Sequence, residues 1–259
     1  MLKLIISGCN GYMGKVVTAL AENDPEILIT AGFDIITETR AGFQVYADPA
    51  EFTGGADVVV DFSNPAALGK LLEFGISAKI PLILCTTGYT AEQQKQIEKT
   101  AEHIPVFKSA NMSLGINLLA DLIKRACAVL GSAYDVEIVE YHHKRKVDAP
   151  SGTALMLADA ASASFPHESE YVFERHSKSR PRDNKEIGIS SVRGGTIVGQ
   201  HNVIFAGLDE VIELKHTAAS RDVFAAGAIR AAKFIAGVTS PGIYDMSDVL
   251  NGYRSGGIR

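Results

Sequence analysis

Cysteine is scarce in this chain of 259 residues, with Cys9, Cys85 and Cys127 standing far apart. Three scattered thiols form neither a disulfide framework nor a cysteine-based zinc site, so a reducing cytoplasm is expected and no metal centre is. Positive charge is also short: 25 Lys and Arg stand against 30 Asp and Glu, giving a net charge of -5 and a pI near 5.8. No global positive field exists to recruit nucleic acid or an anionic membrane surface, and any anionic ligand must be held by a local site. Long apolar runs are missing too. No signal core of roughly 7 to 15 residues follows Met1, and no stretch of about 18 apolar residues occurs, so neither export nor membrane insertion is expected. Internal repeats and low-complexity tracts are absent from the sequence as well.

What is present is ordinary globular material, 46% apolar and 21% charged, enough for about two domains at roughly 150 residues each. Apolar runs at Leu2 to Ser7, Ile27 to Phe33, Val58 to Asp61, Leu82 to Cys85 and Val106 to Phe107 read as strands. They alternate with helical patterns at Tyr12 to Glu22, with Val16, Val17 and Leu20 on one face, and at Ala91 to Glu102. That alternation is the sequence form of an α/β fold with a parallel, Rossmann-type sheet. After Ser113 the pattern changes. Leu114, Leu118, Leu119, Leu122, Ile123, Ala126 and Leu130 form the stripe of one long helix stopped by Gly131. Runs at Asp135 to Tyr141, Ile187 to Val192, Ile197 to Phe205 and Val211 to His216 then predict a mixed or antiparallel sheet. Between them, Pro166 to Lys185 reads as an exposed, charged excursion. Val223 to Ile235 is read as a last helix, packing through Phe224, Ala228, Ala231 and Ile235.

Directly after the first strand stands Gly8-Cys9-Asn10-Gly11-Tyr12-Met13-Gly14, followed by a helix. Close approach to a pyrophosphate needs residues without Cβ, and a helix N-terminus supplies free N–H groups and a favourable dipole. Asp34 ends the second strand 20 residues after Gly14, where a carboxylate can accept from the hydroxyls of an adenosine ribose. Strand, loop, helix and acid in that order outweigh the reading as a bare tight turn. Ile35 and Ile36 follow Asp34, and an Asp repels a 2′-phosphate, so NADH is favoured over NADPH; Lys15 and Arg40 keep dual use open. Two further loops lie at predicted strand C-termini, Cys85-Thr86-Thr87-Gly88 and Ser109-Ala110-Asn111-Met112. They could line a nicotinamide ribose, with ordinary turn chemistry as the competing reading. Cys85 alone could instead be a nucleophile, although nothing near it in sequence would activate a thiolate.

The densest polar stretch runs Glu140-Tyr141-His142-His143-Lys144-Arg145-Lys146-Val147-Asp148-Ala149-Pro150-Ser151-Gly152-Thr153 and enters an apolar helix. Five cationic or potentially cationic groups in a row repel one another, so an anionic partner is expected; a solvated basic turn is the bland alternative. Ser151, Gly152 and Thr153 at a helix start form a receptor for a carboxylate, which suits a dicarboxylate substrate. Imidazoles supply protons near neutral pH. His142 and Lys146 lie about 13 Å apart if the chain is extended, so joint action predicts a bend between them.

These residues resemble the 4-hydroxy-tetrahydrodipicolinate (dihydrodipicolinate) reductase family of lysine and diaminopimelate biosynthesis. The resemblance runs through Gly8 to Gly14, Thr86-Thr87-Gly88, Ala110-Asn111-Met112-Ser113, Glu140 to Thr153 and Ile212 to Thr217. It implies nicotinamide-dependent reduction of a cyclic imine dicarboxylate with loss of water. It also implies His142 as general acid and base and Lys146 as second proton donor, with His143, Gly152 and Thr153 contacting substrate carboxylates and Ser151 close by. Gly8, Cys9, Asn10, Gly11, Tyr12, Met13, Asp34, Cys85, Thr86, Thr87, Ser109, Ala110, Asn111 and Met112 correspond to the cofactor stretches. The family architecture implies a dinucleotide-binding domain over 1–113 and 221–259. An inserted α+β substrate and oligomerisation domain is implied over 114–220, as is a homotetramer. Ile35 stands where NADPH-using members tend to carry Arg. Two rival readings are a Cys85-dependent aldehyde dehydrogenase and a cofactor sensor without catalysis.

Overall fold

The computed structural model describes residues 1–38 and 42–254, and the chain forms two compact units, Met1–Ser113 with Asp222–Arg259, and Leu114–Arg221. Arg40 lies outside the described residues. The first unit runs β1 (Leu2–Ser7), α1 (Tyr12–Glu22), β2 (Ile27–Phe33), β3 (Val45–Tyr46), β4 (Val58–Asp61), α2 (Leu68–Ala78), β5 (Leu82–Leu84), α3 (Ala91–Ala101) and β6 (Pro105–Phe107). The second holds α4 (Leu114–Leu130), β7 (Asp135–His142), α5 (Gly152–Ser162), β8 (Glu170–Val172), β9 (Glu186–Arg193), β10 (Gly199–Ala206) and β11 (Val211–Ala218). The chain then returns to the first unit with α6 (Asp222–Ile235), β12 (Gly242–Tyr244) and α7 (Met246–Arg254).

All pairings in the first sheet are parallel, in the order β12-β6-β5-β4-β1-β2-β3. The strands are near-continuous aliphatic runs because both faces are covered. Ile5, Val59, Leu82, Leu84 and Val106 pack with Leu71, Leu72 and Phe74 of α2 and Ile97 and Ala101 of α3. Alternate residues such as Leu4, Ile6, Val58 and Val60 are equally buried, and α1 and α6 pack against each other. The strand order reverses about β1, the place where open parallel sheets bind ligands beyond their C-terminal strand ends. On α1 the buried face is Gly14, Val17, Thr18 and Ala21, while Leu20 is exposed. The expected Val16/Val17/Leu20 stripe is thus turned, because the helix starts close on the glycine loop and small residues face inward. The helices α2 and α7 and the short strands β3 and β12 are additional to the sequence reading.

The second sheet is mixed, ordered β11-β10-β7-β9-β8, with β10 antiparallel to β7 and β11, and β9 parallel to β7 and β8. Its core joins Leu119, Ala120, Ile123 and Cys127 of α4 to Ala154, Leu157, Ala158 and Ala161 of α5 and to Ile138, Ile189, Val203 and Phe205. Leu118 and Leu122 are exposed instead of lying in the stripe. The helix turns its small residues, Ala120 and Cys127, toward the alanines of α5, which lets the two backbones approach. Gly131 takes φ +59°, the left-handed conformation that ends helices. The segment 166–185 is exposed over most of its length, as expected, and is also tied to the sheet. It contributes β8 with Val172 buried, and Arg182 bridges Asp135 at 2.8 Å and Glu137 at 3.0 Å while Arg180 meets Glu186 at 2.8 Å. No helix among the described residues is long and apolar enough to cross a membrane.

Candidate active site

In the first unit the glycine loop is cornered by backbone. Gly8 takes φ +74°, and a Cβ there would lie 2.7 Å from the Phe62 carbonyl oxygen; one on Gly14 would lie 2.1 Å from the Gly8 oxygen. Both positions require glycine, the first for its left-handed turn and the second for close packing of α1 on the loop. Gly11 is the N-cap of α1 and no side chain caps it, which leaves the cradle a phosphate group would fill. Cys9 is buried, its thiol pushed up to about 11 by burial and by Asp34, and a Cβ on Gly32 would meet its Sγ. Cys9 therefore serves as packing, with only its backbone turned to the loop's task. Asn10 closes the loop on the opposite side. Its backbone N–H donates to Asp34 Oδ2 at 3.0 Å, and its Nδ2 donates to the carbonyls of Ile36 at 2.7 Å and Glu38 at 3.1 Å.

A cavity of about 640 Å³ opens here, and Gly8, Asn10, Gly11, Asp34, Ile36 and Lys70 are among its walls. Lys70 is engaged by Asp48 at 2.6 Å. Tyr12, Met13 and the loop residues Ser109, Ala110, Asn111 and Met112 are not among the walls of this cavity; Met112 is buried, with a Cβ on Gly227 of α6 only 1.7 Å from its carbonyl oxygen. Ser109 Oγ donates to the Asn111 carbonyl at 3.0 Å, and the Ser113 N–H to Asn111 Oδ1 at 2.8 Å, so this loop is internally braced.

Asp61 was not legible as a site residue, yet it gathers three strand ends. Buried at the C-terminus of β4, it accepts from Ser7 Oγ at 2.7 Å and the Ser63 N–H at 3.2 Å on one oxygen, and from Thr86 Oγ1 at 2.7 Å on the other. Thr86 is thereby fixed with its hydroxyl inward. Burial, and secondarily the Asp61 charge, push the Cys85 thiol well above its ordinary value. A thiol so raised is the opposite of an activated nucleophile, which removes the basis for a Cys85-dependent mechanism.

In the second unit the candidate residues lie around one face of the mixed sheet. Glu140 and His142 are two apart on β7 and so share a face; His201 on β10 is the direct partner of Glu140, and Arg193 on β9 that of His142. Glu140 is wholly buried. Its Oε2 lies 2.6 Å from His142 Nδ1 and accepts from Arg193 at 2.8 Å, while its Oε1 accepts from Arg193 at 2.7 Å and from the Ser151 N–H at 3.1 Å. Burial works to raise the Glu140 pKa, but the hydrogen bonds from Arg193, His142 and Ser191 overcome it and hold it at about 2. Burial lowers His142, with Lys146 and Arg193 adding to the fall and Glu140 opposing it. His201 is pushed down to about 4 by burial and then by His142, whose ring stands edge-on at 5.3 Å. A Cβ on Gly199 would lie 3.1 Å from His142 Nε2, so that nitrogen faces a place left open by glycine.

The chain bends directly after His142. The Gly194 N–H donates to the His142 carbonyl at 2.9 Å and closes the β7–β9 ladder, and the Lys146 N–H then donates to the His143 carbonyl at 3.1 Å, so the stretch turns instead of running straight. This is the curve that joint action of His142 and Lys146 demands. Lys146 pairs with Asp148 at 2.8 Å, and Arg193 donates to the Asp148 carbonyl at 2.7 Å. Ser151 caps α5: its Oγ accepts from the Ala154 N–H at 3.1 Å and lies 3.1 Å from His201 Nε2. Gly152 is exposed with open space where a Cβ would stand, and His143 is half-buried with Nδ1 unpartnered. Sequence reasoning missed Arg193 and His201 because only strand pairing brings them beside Glu140.

A parallel sheet of this topology with a glycine-cornered crevice, in a chain that also builds a mixed-sheet unit, defines the class of two-unit α/β oxidoreductases. Solved structures share that fold, among them a probable dehydrogenase from Thermotoga maritima, at TM-score 0.61 and 13% identity over 97% of this chain and 95% of that one. The dipicolinate-bound dihydrodipicolinate reductase from Paenisporosarcina sp. TG-14 superposes at TM-score 0.79 and 23% identity, over 95% and 97% of the two chains. The family description "Dihydrodipicolinate reductase, N-terminus" matches residues 2–112, and "Dihydrodipicolinate reductase, C-terminus" matches 115–250. Curated 4-hydroxy-tetrahydrodipicolinate reductases are 51% identical in Caldanaerobacter subterraneus subsp. tengcongensis and 48% in Clostridium perfringens, each over 96% of this chain and 98% of the relative. The chain belongs to the dihydrodipicolinate reductase family.

Proposed function

We propose that the protein reduces 4-hydroxy-tetrahydrodipicolinate to tetrahydrodipicolinate with loss of water, in lysine and diaminopimelate biosynthesis, and takes NADH in preference to NADPH. The observation that carries this reading is the buried His142 beside Glu140, at the bend that leads through Lys146 to the Ser151-capped N-terminus of α5. Gly8, Asn10, Gly11 and Asp34, which wall the cavity, would hold the dinucleotide, helped by the backbone of Cys9, Tyr12 and Met13 and by the Cys85–Thr87 and Ser109–Met112 loops. Reduced nicotinamide, when bound, supplies the hydride.

The chain's own residues handle charge and protons. One substrate carboxylate is received by His143 and by the N–H groups of Gly152 and Thr153, with Ser151 ordering the helix start. Hydride addition to a conjugated imine drives negative charge toward nitrogen, and the Lys146 ammonium stabilises it and gives up a proton. Because burial keeps His142 neutral over more of the pH range, its ring starts as a base, taking a substrate proton and returning it to the hydroxyl that departs as water. Asp34 followed by exposed Ile35 and Ile36 supports NADH, since the Asp34 carboxylate would repel a 2′-phosphate and Lys70 in the cavity wall is already paired with Asp48. The reading includes a cytoplasmic homotetramer.

The test is a coupled assay with freshly generated substrate, following loss of reduced-nicotinamide absorbance with NADH and NADPH in parallel. His142→Gln lowers turnover by about 100-fold or more with cofactor affinity kept, as for loss of a proton-transfer group. Unchanged turnover would remove His142 from its role.

A further inference from the structure

Besides Ser191, Glu140 receives donors on both oxygens: His142 Nδ1 and one Arg193 nitrogen on Oε2, the Ser151 N–H and the other Arg193 nitrogen on Oε1. Arg193 grips the carboxylate through both terminal nitrogens, the bidentate geometry that fixes a carboxylate plane. We propose that Glu140 is the positioning residue of the site: clamped by Arg193, it holds His142 in the Nδ1–H tautomer, leaves Nε2 as the proton-transfer atom, and through Ser151 sets the α5 N-terminus in register with it. This rests on the reading of His142 given above.

A carboxylate held at about 2 carries no proton near neutrality, so it only accepts, and the nitrogen 2.6 Å away must carry the hydrogen. Nε2 is then the lone-pair nitrogen, and it faces Gly199, where any side chain would crowd it at 3.1 Å. The groups facing the ring are Glu140 on its own strand, Arg193 on β9, His201 on β10 and Lys146 on the following loop. Of these only Glu140 favours the imidazolium. The same carboxylate also determines where α5 begins, since Ser151 is both its donor and the cap of that helix. One buried charge therefore ties the proton-transfer nitrogen to the carboxylate receptor.

The tautomer is read directly by two-bond ¹⁵N–¹H couplings of histidine-labelled protein without ligands, alongside kinetics. The wild type shows His142 as Nδ1–H. In Glu140→Gln an amide NH₂ must face either His142 or the Ser151 and Arg193 donors. Facing His142 it shifts the tautomer toward Nε2–H; in either orientation the His142 pKa falls because its anion is gone, and kcat drops at least tenfold while NADH affinity holds. Glu140→Asp keeps the charge and restores the Nδ1–H form and part of kcat. An Nε2–H tautomer in the wild type, or a His142 pKa that does not fall in Glu140→Gln, overturns the proposal. So does a shifted tautomer with wild-type kcat in a protein that still loses turnover through His142→Gln. Should Glu140→Gln fail to fold, the wild-type tautomer and the Asp variant decide the matter. If instead His142→Gln turns over normally, the reading of His142 has failed, whatever the tautomer does.

Discussion

Each unit buries one carboxylate at the C-terminal end of a strand, and the two are satisfied in opposite ways. Asp61 is met by neutral donors, the hydroxyls of Ser7 and Thr86 and the Ser63 N–H. Glu140 is met by a guanidinium and an imidazole as well as a backbone N–H. Neutral donors fix direction without moving much charge, which suits a pin that aligns loops around a ligand. Charged donors shift the proton affinities of everything they touch, which suits a group beside a proton-transfer residue.

The sharpest way to break the contrast is to take the cation from Glu140. Arg193→Met leaves a buried charge half-compensated and is expected to cost about 3 kcal/mol or more, read by urea unfolding. Glu140 also gives the fold a pH dependence. Glu140 is depressed from 4.5 to about 2, so its contribution to stability is complete above its unfolded value near 4.5 and is lost as pH falls toward about 2. Arg193→Met flattens that acid limb; a limb of unchanged steepness would mean that other carboxylates carry it. Asp61→Asn keeps the shape but turns an NH₂ toward hydroxyls that had been donating. A loss of about 1 to 3 kcal/mol is expected, together with weaker NADH binding as Thr86 comes loose, measured by denaturation and fluorescence titration. Unaltered NADH affinity would make Asp61 a purely structural pin. The smallest effect concerns the cofactor: NADH bound about tenfold more tightly than NADPH, roughly 1.4 kcal/mol. A tenfold preference for NADPH would overturn the argument from Asp34 and Ile35.

Much of the fold was legible because its signals are local. An aliphatic run, a glycine loop and an amphipathic stretch delimit β1, α1 and β2, and Gly131 marks the end of α4. α2 escaped notice because Gly69 and Gly75 dilute its helical pattern, and β3 and β12 because two- and three-residue strands exist only through their neighbours. The inward faces of α1 and α4 were misjudged because apolar spacing marks several faces and packing against glycine or alanine selects among them. The candidate site divides likewise. His142, Lys146 and Ser151 to Thr153 occupy one stretch of chain, so composition and spacing reveal them. Arg193, His201 and Asp61 acquire their meaning only through strand register.

The first-made sheet is closed by the last-made segments: α6 packs on α1, and β12 pairs with β6. During synthesis the ribosome delivers every strand and helix of the Leu114–Arg221 unit before it delivers those pieces. The inserted unit can therefore finish its core while one flank of the amino-terminal sheet still waits, uncovered, for its final helix. A nascent chain stalled shortly after Arg221 would be the species most in need of a chaperone.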